Sequence, residues 1–462
     1  MAKYTFKPTD ASKLQEKYDL IVIGSGGAGL TSALQAEELG LKPVILEKMS
    51  KLGGNTTRAS SGMNASETEV QVNHKVIDDM QAFYDETYDG GGRANNEVLL
   101  KYFVTHSALA INWLAQHNIN LDDLTLVGGM TRPRTHRPHD GAPVGGYLVT
   151  ELLKQIDKAK VPVFEDAEVT ELLQDNDGTI TGVKATVNGN AVQIEAAAVI
   201  LATGGFGANA EMISKVRPDL ANYRTTNHEG ATGDGIALAE KAGALLTDMD
   251  QIQVHPTVQQ DTDHAYLIGE AVRGEGAILV NSRGERFTNE LATRDKVTAA
   301  IDELPEKSAY LILDQAVYDR VPAMKFYDSI GLVKHGATIS VLAKEIGVPA
   351  NLLEWTRTEW NVAVNSKGDS KYKRSTGMHH ELKNDPYYAV HISPAVHYTM
   401  GGVAINDKAQ VLNTEGQVIR GLFAAGEIAG GLHGHNRIGG NSIAETVVFG
   451  RQAGKQAYKY LG

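Results

Sequence analysis

The alternation of apolar and polar positions changes character several times along the chain. After a polar stretch over residues 1–17, an apolar run begins at Tyr18 (YDLIVI) and passes into GSGGAG. Helical spacing follows through LTSALQAEELG, and a second apolar run closes the segment at PVIL. This order is strand, glycine turn, helix and strand within about 30 residues, which predicts a βαβ unit. Residues 49–64 are small and polar and predict a loop. Residues 71–118 carry helical periodicity, interrupted at Gly90–Gly92. Residues 128–146 (GGMTRPRTHRPHDGAPVGG) predict a loop too long for a mere connection, hence a working segment. Over 161–202 the pattern alternates as strands do, with turn signals at Asp177-Gly178 and Asn188-Gly189. Residues 251–397 mix short strands and helices around polar turns. Residues 398–462 return to glycine-rich loops before a closing helix, SIAETVVFGRQAGKQAYKYL.

A length of 462 residues allows about three domain-sized units or two large ones. Hydrophobic residues at 42% and charged residues at 22% are ordinary for a globular chain. Lys and Arg total 44 against 56 Asp and Glu, a net charge of −12. That balance lacks the basic footprint of a nucleic-acid or anionic-membrane binder, so an anionic substrate would need positive charge gathered locally. The absence of cysteine excludes disulfides, thiolate zinc, iron–sulfur clusters and CxxCH haem attachment. No apolar run reaches about 18 residues, and the N-terminal stretch has no apolar signal-like core. The expectation is a cytoplasmic protein with no transmembrane segment and no nucleic-acid partner.

The 48 glycines are clustered, and the clusters carry the chemistry. Gly24, Gly26 and Gly29 form GxGxxG between the first strand and its helix. There backbone N–H groups at a helix N-terminus can hold a pyrophosphate. Glu47, 18 residues after Gly29 at the end of the second strand, can accept from ribose hydroxyls. A second strand running into glycines, VILATGGF over 199–206, suits another approach to the same cofactor. No second GxGxxG in a βαβ context occurs, so one cofactor with its own redox centre fits better than NAD. That cofactor is FAD.

The sequence resembles the soluble flavoprotein fumarate reductases, relatives of the flavoprotein subunits of fumarate reductase and succinate dehydrogenase and of the urocanate reductases. The resemblance runs from about Tyr18 to the end. It is carried by IGSGGAGL (23–30), EKMSKLGGNTTRASSGMNA (47–65), RTHRP (134–138), LATGGF (201–206), GATGDG (230–235) and HPT (255–257). EAVRGEGAI (270–278), ERFTNELATRD (285–295), PAVHYTMGG (394–402), AAGEIAGGLHGHNRIGGNS (424–442) and FGRQAG (449–454) continue it. It implies that Arg294 donates a proton to the substrate carbon while flavin N5 delivers hydride, and that Glu270 and Arg273 relay the proton. It implies that His397 and Arg437 clamp one substrate carboxylate and that His255 donates to the other. The matching motifs imply FAD contacts from Gly24, Gly26, Gly27, Ala28 and Gly29, and from Glu47 and Lys48. Gly54, Asn55, Thr56, Ser60 and Gly62 follow, then Val169, Thr203, Gly204 and Asp234, then Tyr398, Glu427, Asn441, Ser442 and Ile443.

Arg132, Arg134, His136, Arg137, His433 and His435 join these residues as cationic or donor groups embedded in glycine-rich turns, a composition suited to a small dianion. His136 and His139 are spaced as a metal pair, but Pro138 breaks the helix that would align them, and no metal is expected. Two departures from the family pattern stand out. Gly269 occupies the position where fumarate-reducing members usually carry a threonine, and Tyr398 stands where many relatives repeat histidine. No histidine lies between Gly53 and Asn73, so FAD is expected to be non-covalent.

The resulting expectation is an α/β protein. A Rossmann-like FAD-binding domain comes from 1–250 and 398–462, and an α+β capping domain is inserted over 251–397. The expected reaction is reduction of the C=C bond of an unsaturated acid, fumarate to succinate first. An external electron donor, reduced flavin or a redox partner protein, would feed it. Reduction of urocanate or an acrylate-type acid, an aspartate-oxidase-like activity, and a non-catalytic electron-transfer role are the rivals.

Overall fold

β1 (Lys17–Ile23) and β2 (Pro43–Leu46) run parallel, Leu20 opposite Pro43 and Ile23 opposite Leu46, in a computed structural model that describes residues 4–462. The crossover between them is α1 (Gly27–Glu38), whose first ten residues are all buried. A helix covered on every side needs no amphipathic stripe, and GAGLTSALQA is small or apolar at every position but Gln35. The polar leader is tied down, because the Thr9 N–H donates to the Val163 carbonyl at 2.7 Å. α2 (Glu97–Gln116) starts at Asn96, whose side chain caps the Val98 and Leu99 N–H groups. Among the described residues it is the one helix long and apolar enough to cross a membrane, and half of that stretch is buried in the protein. No unbroken apolar run announces it, because Lys101 and His106 interrupt the pattern. The long loop is shorter than its composition suggests. Thr135–Arg137 forms a strand, and α3 (Val144–Ala159) has begun before residue 146.

β3 (Val163–Phe164) extends the sheet beyond β2, and β4 (Asn190–Leu201) lies parallel to β1 with Leu201 opposite Ile23. Strands Ala167–Gln174 and Ile180–Val187 form an antiparallel layer joined to β4. The chain then builds a second, six-stranded sheet around β5 (Ile252–Gln259) and β6 (Tyr387–Thr399), which are antiparallel with His255 opposite Ala395. Register shifts flank His255, one before Val254 and one between His255 and Val258. Pro256 cannot donate to the ladder, and the irregularity re-aims the neighbouring side chain. Three helices of this segment matter for the site: α4 (Ala271–Gly274), α5 (Arg294–Asp302) and α6 (Ala323–Ser329).

β7 (Gln410–Leu412) and β8 (Val418–Ala424) return to the first sheet, giving the order β7-β8-β4-β1-β2-β3. α7 (Asn441–Leu461) closes the chain against α1. A methyl group on Gly450 would stand 2.9 Å from the Ala28 carbonyl oxygen, and one on Gly454 2.6 Å from that of Ser32. Two glycines four apart on one face therefore let the helix backbones touch. Buried apolar side chains fall into two clusters. One draws on Tyr18–Val254 and Val396–Ala457, the other on Ile268–Ile392.

Candidate active site

The C-terminal ends of β1, β2 and β4 open onto a cavity of about 880 Å³ whose walls also come from the second sheet and its helices. Such an end of a parallel sheet is where open α/β folds place ligands. Two helices begin at this cavity. Gly26 caps α1 and Gly440 caps α7, neither with a side-chain cap, and Gly27, Ala28, Ser442 and Ile443 of their first turns line the wall. The first N–H groups of a helix lack intrahelical partners and carry partial positive charge, so both starts can receive ligand oxygens.

This half of the cavity fits FAD. A methyl group on Gly26 would meet only Thr56 Oγ1, at 3.7 Å, and one on Gly204 would meet nothing within 4 Å, so both glycines open a cradle rather than fill it. Gly24 has φ +102°, and a side chain there would strike the Ala202 carbonyl oxygen at 2.5 Å. Only glycine makes that turn. Glu47 accepts from the Ser25 N–H (2.9 Å) and hydroxyl (2.7 Å) and from the Met49 N–H (2.9 Å). A carboxylate offers about four acceptor sites, so capacity remains for a ligand hydroxyl. Lys48 pairs with Asp234, and buried Thr203 Oγ1 has no partner among the described residues. Asn55, Thr56, Gly54, Ser60, Val169, Tyr398 and Glu427 line the same space.

At the other end the polar groups converge. Arg294, the first residue of α5, donates through Nη1 to Gln253 Oε1 at 2.9 Å, and Arg437 Nη2 donates to the same oxygen at 2.9 Å. Gln253 sits two residues before His255 on β5, hence on the same face. His255 and His397 lie with ring centroids 5.3 Å apart. The Thr257 N–H donates to His255 Nδ1 at 3.3 Å, which puts the ring proton on Nε2, a buried donor with no partner among the described residues. His397 Nδ1 pairs with Thr226 Oγ1 at 2.8 Å. Arg437 is held by the Ser442 hydroxyl (3.2 Å) and lies over the Tyr398 ring at 4.4 Å, while its Nε lacks a partner among the described residues. Tyr398 in turn donates to Glu445 at 2.6 Å, which also pairs with His433 at 3.0 Å.

Glu270 Oε2 stands 3.5 Å from Arg294 Nη2, and its Oε1 accepts the Gly128 N–H at 3.1 Å. Burial opposes the charge of Glu270, but Arg294, Arg273 and that N–H outweigh it and keep the carboxyl below its usual range. Burial lowers the Arg294 guanidinium, with Glu270 opposing. Burial and then the charge of Arg294 pull Arg437 down to about 10. Both histidines fall well below 6.5, through burial first and then the charge of Arg294. At neutral pH the cluster therefore holds neutral imidazoles between two cationic guanidiniums. Burial pushes Glu427 up to about 7, against the Thr399 N–H that donates to it.

Four of the expected site residues do not line the cavity. A methyl group on Gly29 would lie 2.0 Å from the Gly24 carbonyl oxygen, so this glycine serves close helix–strand packing. Gly62 is pressed against the His136 carbonyl in the same way, at 2.2 Å. Asn441 turns inward to accept from Asn64 Nδ2 at 2.7 Å. Arg273 is buried behind Glu270, donating to the Glu290 carbonyl at 2.6 Å, with Nε and Nη2 unpartnered among the described residues. The loop cations also divide. Arg134 is locked to Asp78 and Glu86. His136 has Nδ1 on the Arg134 carbonyl and Nε2 on the Thr68 hydroxyl, both at 2.7 Å. Arg132 and His435 are exposed. Arg137 alone of these loop cations lines the cavity. Gln253, Gly128 and Tyr327 went unmarked in the sequence. Period-two spacing from His255 was the available signal for Gln253.

The family model for an FAD binding domain matches residues 19–443. The NADH:fumarate oxidoreductase of Klebsiella pneumoniae (strain 342) is 46% identical over 445 residues, covering 96% of this chain and 48% of that protein. The chain thus spans about half the length of that relative. The fumarate reductase (cytochrome) of Shewanella frigidimarina is 40% identical over 452 residues, covering 97% of this chain and 78% of that protein. Among solved structures, the open conformation of a flavocytochrome c3 fumarate reductase superposes with a TM-score of 0.83. It is 39% identical and covers 98% of this chain and 80% of that one.

Proposed function

The chain belongs to the FAD binding domain family, among its fumarate reductase-type flavoproteins, and from that premise we propose that it reduces the C=C bond of an unsaturated dicarboxylic acid, fumarate to succinate. The observation that carries this reading is the cluster of Arg294, Arg437, His255 and His397 around Gln253, continuous with the glycine-lined cradle.

When bound, FAD supplies the hydride equivalent. The rest falls to the chain. Arg437 and His397 hold one carboxylate, because a guanidinium fork and a neutral imidazole donor together satisfy its lone pairs. His255 offers its Nε2–H to the second. Arg294 donates the proton, its hold weakened by burial, and Glu270, ionised at rest, takes up a proton from the side of the Gly128 loop and passes it to Arg294. Arg273, with two unpartnered nitrogens, keeps Glu270 ionised. The segment 251–397 acts as a cap that keeps water from the charged cluster and so strengthens each of these contacts. FAD is held without a covalent bond, and electrons arrive from a separate donor.

Two measurements check this. Acid precipitation of the yellow protein leaves the flavin in the supernatant as FAD, whereas flavin retained by the pellet contradicts non-covalent binding. Reduced viologen is reoxidised fastest with fumarate in a panel that includes urocanate and acrylate, and NADH alone gives little turnover. A tenfold or greater preference in kcat/KM for urocanate or a mono-acid overturns the choice of fumarate. Peroxide formed from aspartate favours the oxidase reading, and no reoxidation by any acid overturns the enzyme.

A further inference from the structure

Gly269 leaves a gap in the cavity wall close to His255. The Ile268 N–H donates to the Thr257 carbonyl at 2.9 Å, and the Thr257 hydroxyl to the Ile268 carbonyl at 3.0 Å, which fastens this stretch to β5 two residues past His255. A methyl group on Gly269 would stand 3.5 Å from Tyr327 Oη and 3.6 Å from Ser60 Oγ, ordinary contact distances. Two hydroxyls therefore flank the space that a side chain here would fill.

Tyr327 comes from α6 and is 5% exposed. Its Oη accepts the Gly269 N–H at 3.1 Å. That bond uses up the backbone donor of Gly269, and it fixes the phenol oxygen beside the gap. Accepting from an N–H leaves the phenol proton to be given away, and no described residue receives it. A donor that is itself accepting is a stronger donor. Burial raises the phenol above its ordinary range, with the Gly269 N–H and Arg137 opposing, so the proton stays on at neutral pH. Arg137 lines the same cavity and is anchored by Nη2 to the Ser60 carbonyl at 3.1 Å.

We propose that Tyr327 is a specificity-determining residue: its hydroxyl donates to the distal carboxylate that His255 also holds, with the charge of Arg137 nearby. The inference rests on the reading of the cavity as a diacid site. It assigns recognition of the second carboxylate to a side chain from α6 rather than to the wall at Gly269.

Tyr327→Phe in the flavin-loaded enzyme removes one oxygen from the wall. The expected result is a fall of about 10- to 150-fold in the ratio of kcat/KM for fumarate to that for acrylate, the loss of one hydrogen bond to a charged group. Gly269→Ser in that background recovers part of the ratio by supplying a hydroxyl to the same space. Gly269→Ser alone raises the ratio, and it serves as the test if Tyr327→Phe does not fold. Succinate binding, followed by calorimetry, weakens in Tyr327→Phe more than propionate binding does. Equal losses on both acids, or a ratio unmoved in the variants, overturn the proposal. A wild-type enzyme that reduces no diacid overturns this reading and the proposed function together. One that reduces fumarate with the ratio unmoved overturns only this one.

Discussion

Arg294→Ala lowers turnover by about 10²- to 10⁴-fold or more, the size of effect expected when a general acid is deleted, while the protein remains yellow. Arg294 is the first residue of α5 and reaches into the cavity with Nη1 on Gln253 and Nη2 toward Glu270. Among the described residues no other group makes both contacts, so no neighbour there can take over the proton. Arg294→Lys does not rescue, because a single ammonium cannot span the two acceptors as a planar fork does. The flavin cradle draws on other residues, so the visible spectrum and the FAD content are unchanged. Single-turnover reoxidation of the reduced flavin by fumarate is the measurement. A variant that keeps more than about a tenth of the wild-type rate assigns the proton to another donor.

Two substitutions one helical turn apart are expected to fail in different ways. Gly26→Ala folds with its melting temperature in the flavin-free state unchanged, because Gly26 has φ −66° and a methyl group there meets protein only at 3.7 Å. That methyl group instead enters the cradle, and FAD affinity falls by about two orders of magnitude, the cost of overpacking a fitted contact by roughly 3 kcal/mol. Gly29→Ala drives a methyl group to within 2.0 Å of the Gly24 carbonyl oxygen, where both partners are backbone. The helix must lift from β1, so this variant loses stability before any flavin is added. Denaturation of the flavin-free proteins, with flavin titration by fluorescence quenching, separates the two. Equal melting temperatures for the two variants contradict this division between cradle and packing glycines.

Much of the flavin half was legible because its determinants are local. A strand, GSGGAG, a helix, a strand and Glu47 follow one another within a short stretch, and each places the next. The turns at Asp177-Gly178 and Asn188-Gly189 were equally legible, since Gly178, Asn188 and Gly189 take positive φ. The loop cations were not separable by sequence. Arg134 and Arg137 differ by three residues in one motif, yet one is neutralised by Asp78 and Glu86 and the other faces the cavity. Nothing near Arg134 in the chain announces two carboxylates that arrive from positions 78 and 86.

Sequence by itself determined the α/β class, the identity of FAD as the cofactor and the family, because repeated glycine turns at strand ends are read from neighbours in the chain. The tertiary structure alone decided which polar groups meet. Gln253 joins Arg294, 41 residues on, to Arg437, 184 residues on, Glu270 turns to Arg294 and not to an ion pair with Arg273, and Tyr327 meets Gly269 from 58 residues away. Such contacts depend on how the second sheet packs over the first. Burial then sets their charge states, and no local pattern encodes how much water a side chain will lose.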